Sequence, residues 1–167
     1  LLITRQAMHG HTLSGTDTYL FHSLQNLRTP WADSTAVFLT QFGNQALLAT
    51  ILAGSCAWLF WKGYTKAAWH WLAVFVGAGL LTWTLKLSLQ VERPMSSHGS
   101  FSFPSAHTSM SLAVYGFLAL VVARELPLRR RWLPYTLAGI LVVLIAMSRL
   151  YLGAHWFSDV LAGLTLG

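Results

Sequence analysis

Three short stretches carry the groups that could do chemistry in this chain. The first runs from Lys86 to Pro94, with Lys86 and Arg93 seven residues apart. On a helix that spacing is two turns, so both cations share a face, and Pro94 then disfavours helix at Arg93. Alone, the pair is an ordinary one, two long cations reaching for the interface at the end of a span. The second is Phe103-Pro104-Ser105-Ala106-His107-Thr108. A proline at a helix start presets φ, and the amides of Ser105, Ala106 and His107 are then expected to point free N–H groups outward. Such a terminus holds phosphate through its donors and its dipole. A capped helix start with an interfacial histidine explains the segment equally well.

The third runs from Ser148-Arg149 to Asp159, with His155 between them. His155 and Asp159 are i,i+4, so on a helix their side chains meet. A carboxylate on one ring nitrogen fixes the tautomer and leaves the other nitrogen a better nucleophile. Arg149 offers a planar fork matched to phosphate oxygens. A purely structural His–Asp pair is the weaker alternative, because charge at membrane depth is expensive and usually functional. Together the segments supply Lys86, Arg93, Arg149, two histidines, a carboxylate and a helix start: an anion site with a nucleophile and an acid. No set of Asp, Glu and Cys suits a metal cage, so neither metal nor cofactor is expected.

These residues need elements to hold them, and the composition says which. Of the 167 residues, 54% are hydrophobic and 10% charged, with a mean hydropathy of +0.52. A soluble domain carries about a quarter charged residues, which argues against a soluble enzyme, a disordered tail or a nucleic-acid module. The formal charge of +6 then reflects membrane topology rather than a polyanion partner. Charges are missing from 34–61, 67–85, 94–123 and 132–148. A span needs about 20 apolar residues, so spans are expected near 36–61, 69–89, 106–123 and 132–148. A fifth begins near Trp156 and stops after two or three turns.

Residues 1–33 are mixed in character, and Tyr19, Leu20, Leu24 and Leu27 predict a short helix over 17–28 on the membrane surface. Thr29-Pro30 ends it, and 95–103 reads as a loop. Lys62, Lys66, Arg124, Arg129, Arg130 and Arg131 stand against Glu125 alone on one side. On the other, Arg5, Arg28, Lys86, Arg93 and Arg149 stand against Asp17, Asp33, Glu92 and Asp159. The positive-inside tendency puts the Arg-rich loops in the cytoplasm and the three segments outside. Trp58, Trp61, Trp69, Trp71 and Trp132 are expected as interface aromatics at the cytoplasmic ends. The lone Cys56 forms no internal disulfide. A start at Leu1 and an end at Gly167 inside an apolar run suggest a piece of a larger protein.

The three segments resemble the type 2 phosphatidic acid phosphatase (PAP2) family, which shares its site with vanadium haloperoxidases. The family pattern, K-x6-RP, then PSGH, then SR-x5-H-x3-D, is met by Lys86 and Arg93-Pro94, by Pro104-Ser105-Ala106-His107, and by Ser148-Arg149, His155 and Asp159. The departure is Ala106 where the family usually has Gly. The amide survives, but a Cβ narrows the backbone choices there.

By resemblance, His155 attacks phosphorus to form a phosphohistidine and Asp159 orients it. His107 protonates the leaving alkoxide and then activates water. Lys86, Arg93, Ser105, Ala106, Ser148 and Arg149 hold the phosphoryl oxygens. The resemblance further implies an all-α polytopic membrane bundle with about five of six spans present, the last truncated. Residues 1–33 would be a surface segment and 34–167 the catalytic domain. The expected function is a metal-free lipid phosphate or diphosphate phosphatase in a bacterial inner membrane, its site facing the periplasm. Its substrate would be phosphatidic acid, phosphatidylglycerol phosphate or polyprenyl diphosphate. A phosphotransferase, or a transport domain with a relic site, are the alternatives, although intact site residues argue against a relic.

Other polar residues fit blander roles. His9, His11, His22 and His98 read as surface or loop residues and His70 as interfacial. Gln41, Asn44 and Gln45 read as bonding to neighbouring helices within span one. Met95, Phe101 and Phe103 either flank a lipid entrance or pack in the loop.

Overall fold

The structure, a computed structural model, describes residues 15–95 and 101–167. His9, His11 and His98 lie outside the described residues. Among the described residues there are seven α-helices: α1 (Gly15–Asn26), α2 (Pro30–Gln41), α3 (Gln45–Trp61), α4 (Thr65–Leu89), α5 (Ala106–Glu125), α6 (Trp132–Tyr151) and α7 (Phe157–Leu166). A short 3-10 turn, Leu128–Arg130, precedes α6. There is no strand among the described residues, and the chain is the all-α polytopic bundle its composition implies. Among the described residues, four stretches are long and apolar enough to cross a membrane: Pro30–Trp61, Thr65–Leu89, Ala106–Glu125 and Leu128–Tyr151.

Helix α5 is the central post, packing against α3, α4, α6 and α7. Leu48, Leu52, Cys56 and Leu59 of α3 recur at three- and four-residue steps and meet Met110, Ala113 and Val114 of α5 in one core. Leu80, Trp83, Leu137, Ile140 and Val143 stay exposed on the rim, where hydrocarbon is their natural solvent. Trp71 corrects the expectation of an interface aromatic. It is fully buried and stacks on Phe117 with ring centroids 4.8 Å apart, because its position on α4 points inward rather than to the rim.

Span one also differs from its expected 36–61. Pro30 starts α2 six residues earlier, in the first turn, where its missing N–H costs nothing. That helix runs across the expected 33/34 boundary. The span then breaks at Phe42-Gly43-Asn44. Asn44 caps α3, its Oδ1 accepting from the Ala46 amide at 2.8 Å, so it serves its own chain and not a neighbouring helix. Gln41 and Gln45 flank the break and are exposed. Helix α1 forms as its spacing predicts, but it docks on α6 and α7.

The chain reverses at 62–64 and 126–131 at one end of the bundle. The end of α4, the start of α5, the end of α6 and the start of α7 therefore meet at the other end. Close approach there depends on Gly163 of α7. A Cβ at that position would lie 2.8 Å from the Ser105 carbonyl oxygen and 3.0 Å from Thr108 Cβ. Gly163→Ala is expected to cost about 1–3 kcal/mol through overpacking, whereas Gly139→Ala, with nothing within 4 Å of its Cβ, leaves stability unchanged or higher. Thermal unfolding in detergent compares the two; equal melting temperatures would contradict the contact.

Candidate active site

The α6–α7 turn builds the centre. Gly153 adopts φ +65, a conformation costly for residues with a Cβ, and the Ala154 amide donates to the Arg149 carbonyl at 3.0 Å. This tight return sets Arg149 beside His155. His155 stands just before α7 rather than on it, so the i,i+4 picture changes. The contact is made through the helix cap, with Asp159 Oδ2 accepting from the Trp156 amide at 2.8 Å and from His155 Nδ1 at 3.3 Å. Both side chains are buried. The proton on Nδ1 leaves Nε2 as the basic nitrogen.

Helix α4 ends at Leu89, and Gln90 takes a left-handed φ of 48. Lys86 and Arg93 therefore do not share a helix face. Arg93 reaches the centre from the following loop, donating from Nη1 to the Ala154 carbonyl at 2.7 Å, with His155 Nε2 at 3.4 Å. Lys86 donates from Nζ to the carbonyls of Phe101 and Ser102. These bonds tie Phe101 and Ser102 to the end of α4. Phe103 packs in a small core with Ala162, whereas Met95 is tied by its amide to the Gly153 carbonyl at 3.2 Å.

The second segment is placed as expected in part. Ser105 stands at the N-cap position of α5 without a side-chain capping bond, and Pro104 precedes it. The Ser105 amide is spent on the Asp159 carbonyl at 3.0 Å, so it is not a free donor. Its Oγ accepts from Thr108 Oγ1 at 3.1 Å. Ala106 and His107 occupy the first turn, whose amides have no intrahelical partner. His107 is half-buried and feels the charges of Arg149, Arg93 and Lys86.

Arg149 donates from Nη1 to Thr40 Oγ1 at 3.1 Å, and its Nε is buried without a partner among the described residues. Ser148 is not brought to the cradle. Its hydroxyl donates to the Ile145 carbonyl at 2.6 Å, and it lines a hollow of about 200 Å³ with Leu39, Leu144 and Tyr151. At the end of α6, adjacent residues point to different faces, so the pair Ser148-Arg149 cannot both look inward.

Three further residues belong to this neighbourhood. Ser102 is fully buried, and its hydroxyl donates to the Glu92 carbonyl at 3.0 Å. Asp17 of α1 is buried and accepts from the Ser158 amide at 2.9 Å and the Ser158 hydroxyl at 2.8 Å. It thus stabilises the start of α7 from a distant helix. Gly43 faces His107. No periodicity announces any of them.

Burial holds the His155 imidazole well below its ordinary range, and the charges of Arg93, Arg149 and Lys86 push the same way. The folded protein keeps His155 neutral where the unfolded chain, with an ordinary pKa of about 6.5, takes up a proton. Stability is therefore expected to fall as pH drops below about 6.5. Melting temperatures between pH 7 and 5 check this, and His155→Gln is expected to flatten the slope.

Residues 67–167 match the profile of the PAP2 superfamily. Phosphatidylglycerophosphatase B of Bacillus subtilis is 30% identical over 172 aligned residues, 99% of this chain and 85% of that protein. The solved transmembrane PAP2 type phosphatidylglycerolphosphate phosphatase from Bacillus subtilis superposes with a TM-score of 0.86 at 29% identity. That match covers 98% of this chain and 86% of the other. The structure of Aquifex aeolicus LpxE shares the fold, with a TM-score of 0.67 at 22% identity over 89% of this chain and 88% of that one.

Proposed function

We propose that this chain, which belongs to the PAP2 superfamily, is a membrane phosphatase that removes phosphate from a lipid phosphate or diphosphate through a covalent histidine intermediate. One observation carries the reading. His155 is held by Asp159 through Nδ1 while its Nε2 faces Arg93. That nitrogen stands among three cations, Lys86, Arg93 and Arg149, whose charges all act on it. A neutral nucleophile inside a positive enclosure fits a phosphoryl group better than any cationic or neutral substrate.

The reaction then runs in two steps. Nε2 of His155 attacks phosphorus, and the P–O bond to the lipid breaks. His107 gives the leaving oxygen its proton. Water next attacks the phosphohistidine, losing a proton to His107, and inorganic phosphate departs with His155 restored. Arg93, Arg149 and the amides of Ala106 and His107 stabilise the charge that gathers on the equatorial oxygens. Lys86 holds the loop that carries Ser102 and adds its charge from behind. A divalent cation would meet repulsion from all three cations, which supports a metal-independent reaction.

Among lipid substrates, phosphatidylglycerol phosphate is the first to test, since the similar Bacillus subtilis proteins are named for it. Phosphatidic acid and polyprenyl diphosphate follow. The site lies at the end opposite Lys62, Lys66, Arg124 and the Arg129–Arg131 run. The positive-inside tendency would place it on the periplasmic side of a bacterial inner membrane.

Phosphate release from these three lipids, in detergent with EDTA, tests the reading. His155→Ala is expected to reduce release to background while retaining a cooperative thermal transition. Full activity in that variant would sink the covalent mechanism. Loss of wild-type activity in EDTA, restored by Mg²⁺, would contradict the metal-independent one.

A further inference from the structure

We infer that Thr40 is a positioning residue for Arg149, and that the break in the first span exists to bring it there; the inference rests on the phosphatase reading above. Thr40 lies in the last turn of α2 and is 9% exposed. Its Oγ1 accepts from Arg149 Nη1 at 3.1 Å across two helices. A guanidinium grips two oxygens at once through paired N–H groups in one plane. Here one corner is anchored on Thr40, while the Nε–H is buried with no partner among the described residues. A buried donor left without a partner is costly, and a phosphoryl oxygen is the group that would relieve it. Thr40 therefore fixes the plane of the fork and leaves its Nε edge unspent.

The break holds this contact in register. The Gly43 amide donates to the Thr40 carbonyl at 3.0 Å, and the Tyr115 hydroxyl of α5 donates to the Phe42 carbonyl at 2.7 Å. Gly43 then sits so close that a Cβ would lie 2.7 Å from Ile145 Cγ2 and 3.0 Å from His107 Cδ2. An uninterrupted helix bearing a side chain at 43 could not approach α5 and α6 this closely. The end of α2 thus backs both Arg149 and His107, although neither Thr40 nor Gly43 falls within the 67–167 family match. A threonine that merely fills the core would also be buried, but it would not care which atom occupies its γ position.

The test compares Thr40→Val, which keeps the shape and removes the acceptor, with Thr40→Ser, which keeps the acceptor, each alone and with Arg149→Lys. Two readouts are taken on the full protein: lipid phosphate release, and the rise in melting temperature caused by orthovanadate. Thr40→Val is expected to lower kcat/KM about tenfold or more, the scale of a lost hydrogen bond to a charged group, and to shrink the orthovanadate shift. Thr40→Ser should restore most of both. On the Arg149→Lys background, Thr40→Val should add little, because the residue acts through Arg149. A Thr40→Val protein equal to wild type in both readouts overturns the inference and leaves the phosphatase reading standing. Fully additive losses on the Arg149→Lys background overturn it as well. A wild type that neither releases phosphate nor responds to orthovanadate overturns the reading and the inference together.

Discussion

The site depends on a deliberate imbalance of charge. Lys86, Arg93 and Arg149 converge near a single buried carboxylate, Asp159, which already accepts from a backbone amide and a histidine. Buried charges are costly unless neighbouring groups bond them. The protein distributes that burden over carbonyls and a hydroxyl: Ala154 for Arg93, Phe101 and Ser102 for Lys86, Thr40 for Arg149. None of these named partners carries a full negative charge, so they hold the donors in place without neutralising them. The arrangement of helix ends and turns at this end of the bundle follows from that need.

The fold supplies it through division of labour. Family-matched residues 67–167 contain every group that the proposed reaction sets against phosphate. Their placement relies on the part of the chain before them. Asp17 secures the start of α7, Thr40 secures Arg149, and Gly43 lets the break between α2 and α3 close on His107 and Ile145. The central helix α5 packs on α3, α4, α6 and α7 and begins at the site itself.

Spacing in the sequence reveals the chemistry better than it reveals the geometry. Lys86, Arg93, His107, Arg149, His155 and Asp159 are all recoverable from three short segments, and the gaps between charges mark the spans. One group of failures arises where helical geometry is assumed beyond the helix or at its very end. Arg93 lies beyond a left-handed Gln90, His155 lies ahead of α7, and the Ser105 amide is spent on a residue 54 positions away. Ser148 and Trp71 show the complementary problem, that a helix position does not say which neighbour it faces. Asp17, Thr40 and Gly43 owe their roles to contacts across the fold, and nothing local in the chain distinguishes them from ordinary residues.

The surplus of positive charge has a consequence at the end of the reaction. On the phosphatase reading, a cluster of cations that suits phosphoryl oxygens does not distinguish an ester from the free anion left after hydrolysis, which presents the same oxygens to the same donors. Departure, rather than arrival, becomes the burdened step. The lipid's advantage is its concentration in the plane of the bilayer, so turnover resolves into a contest between a product leaving to bulk water and a substrate arriving sideways.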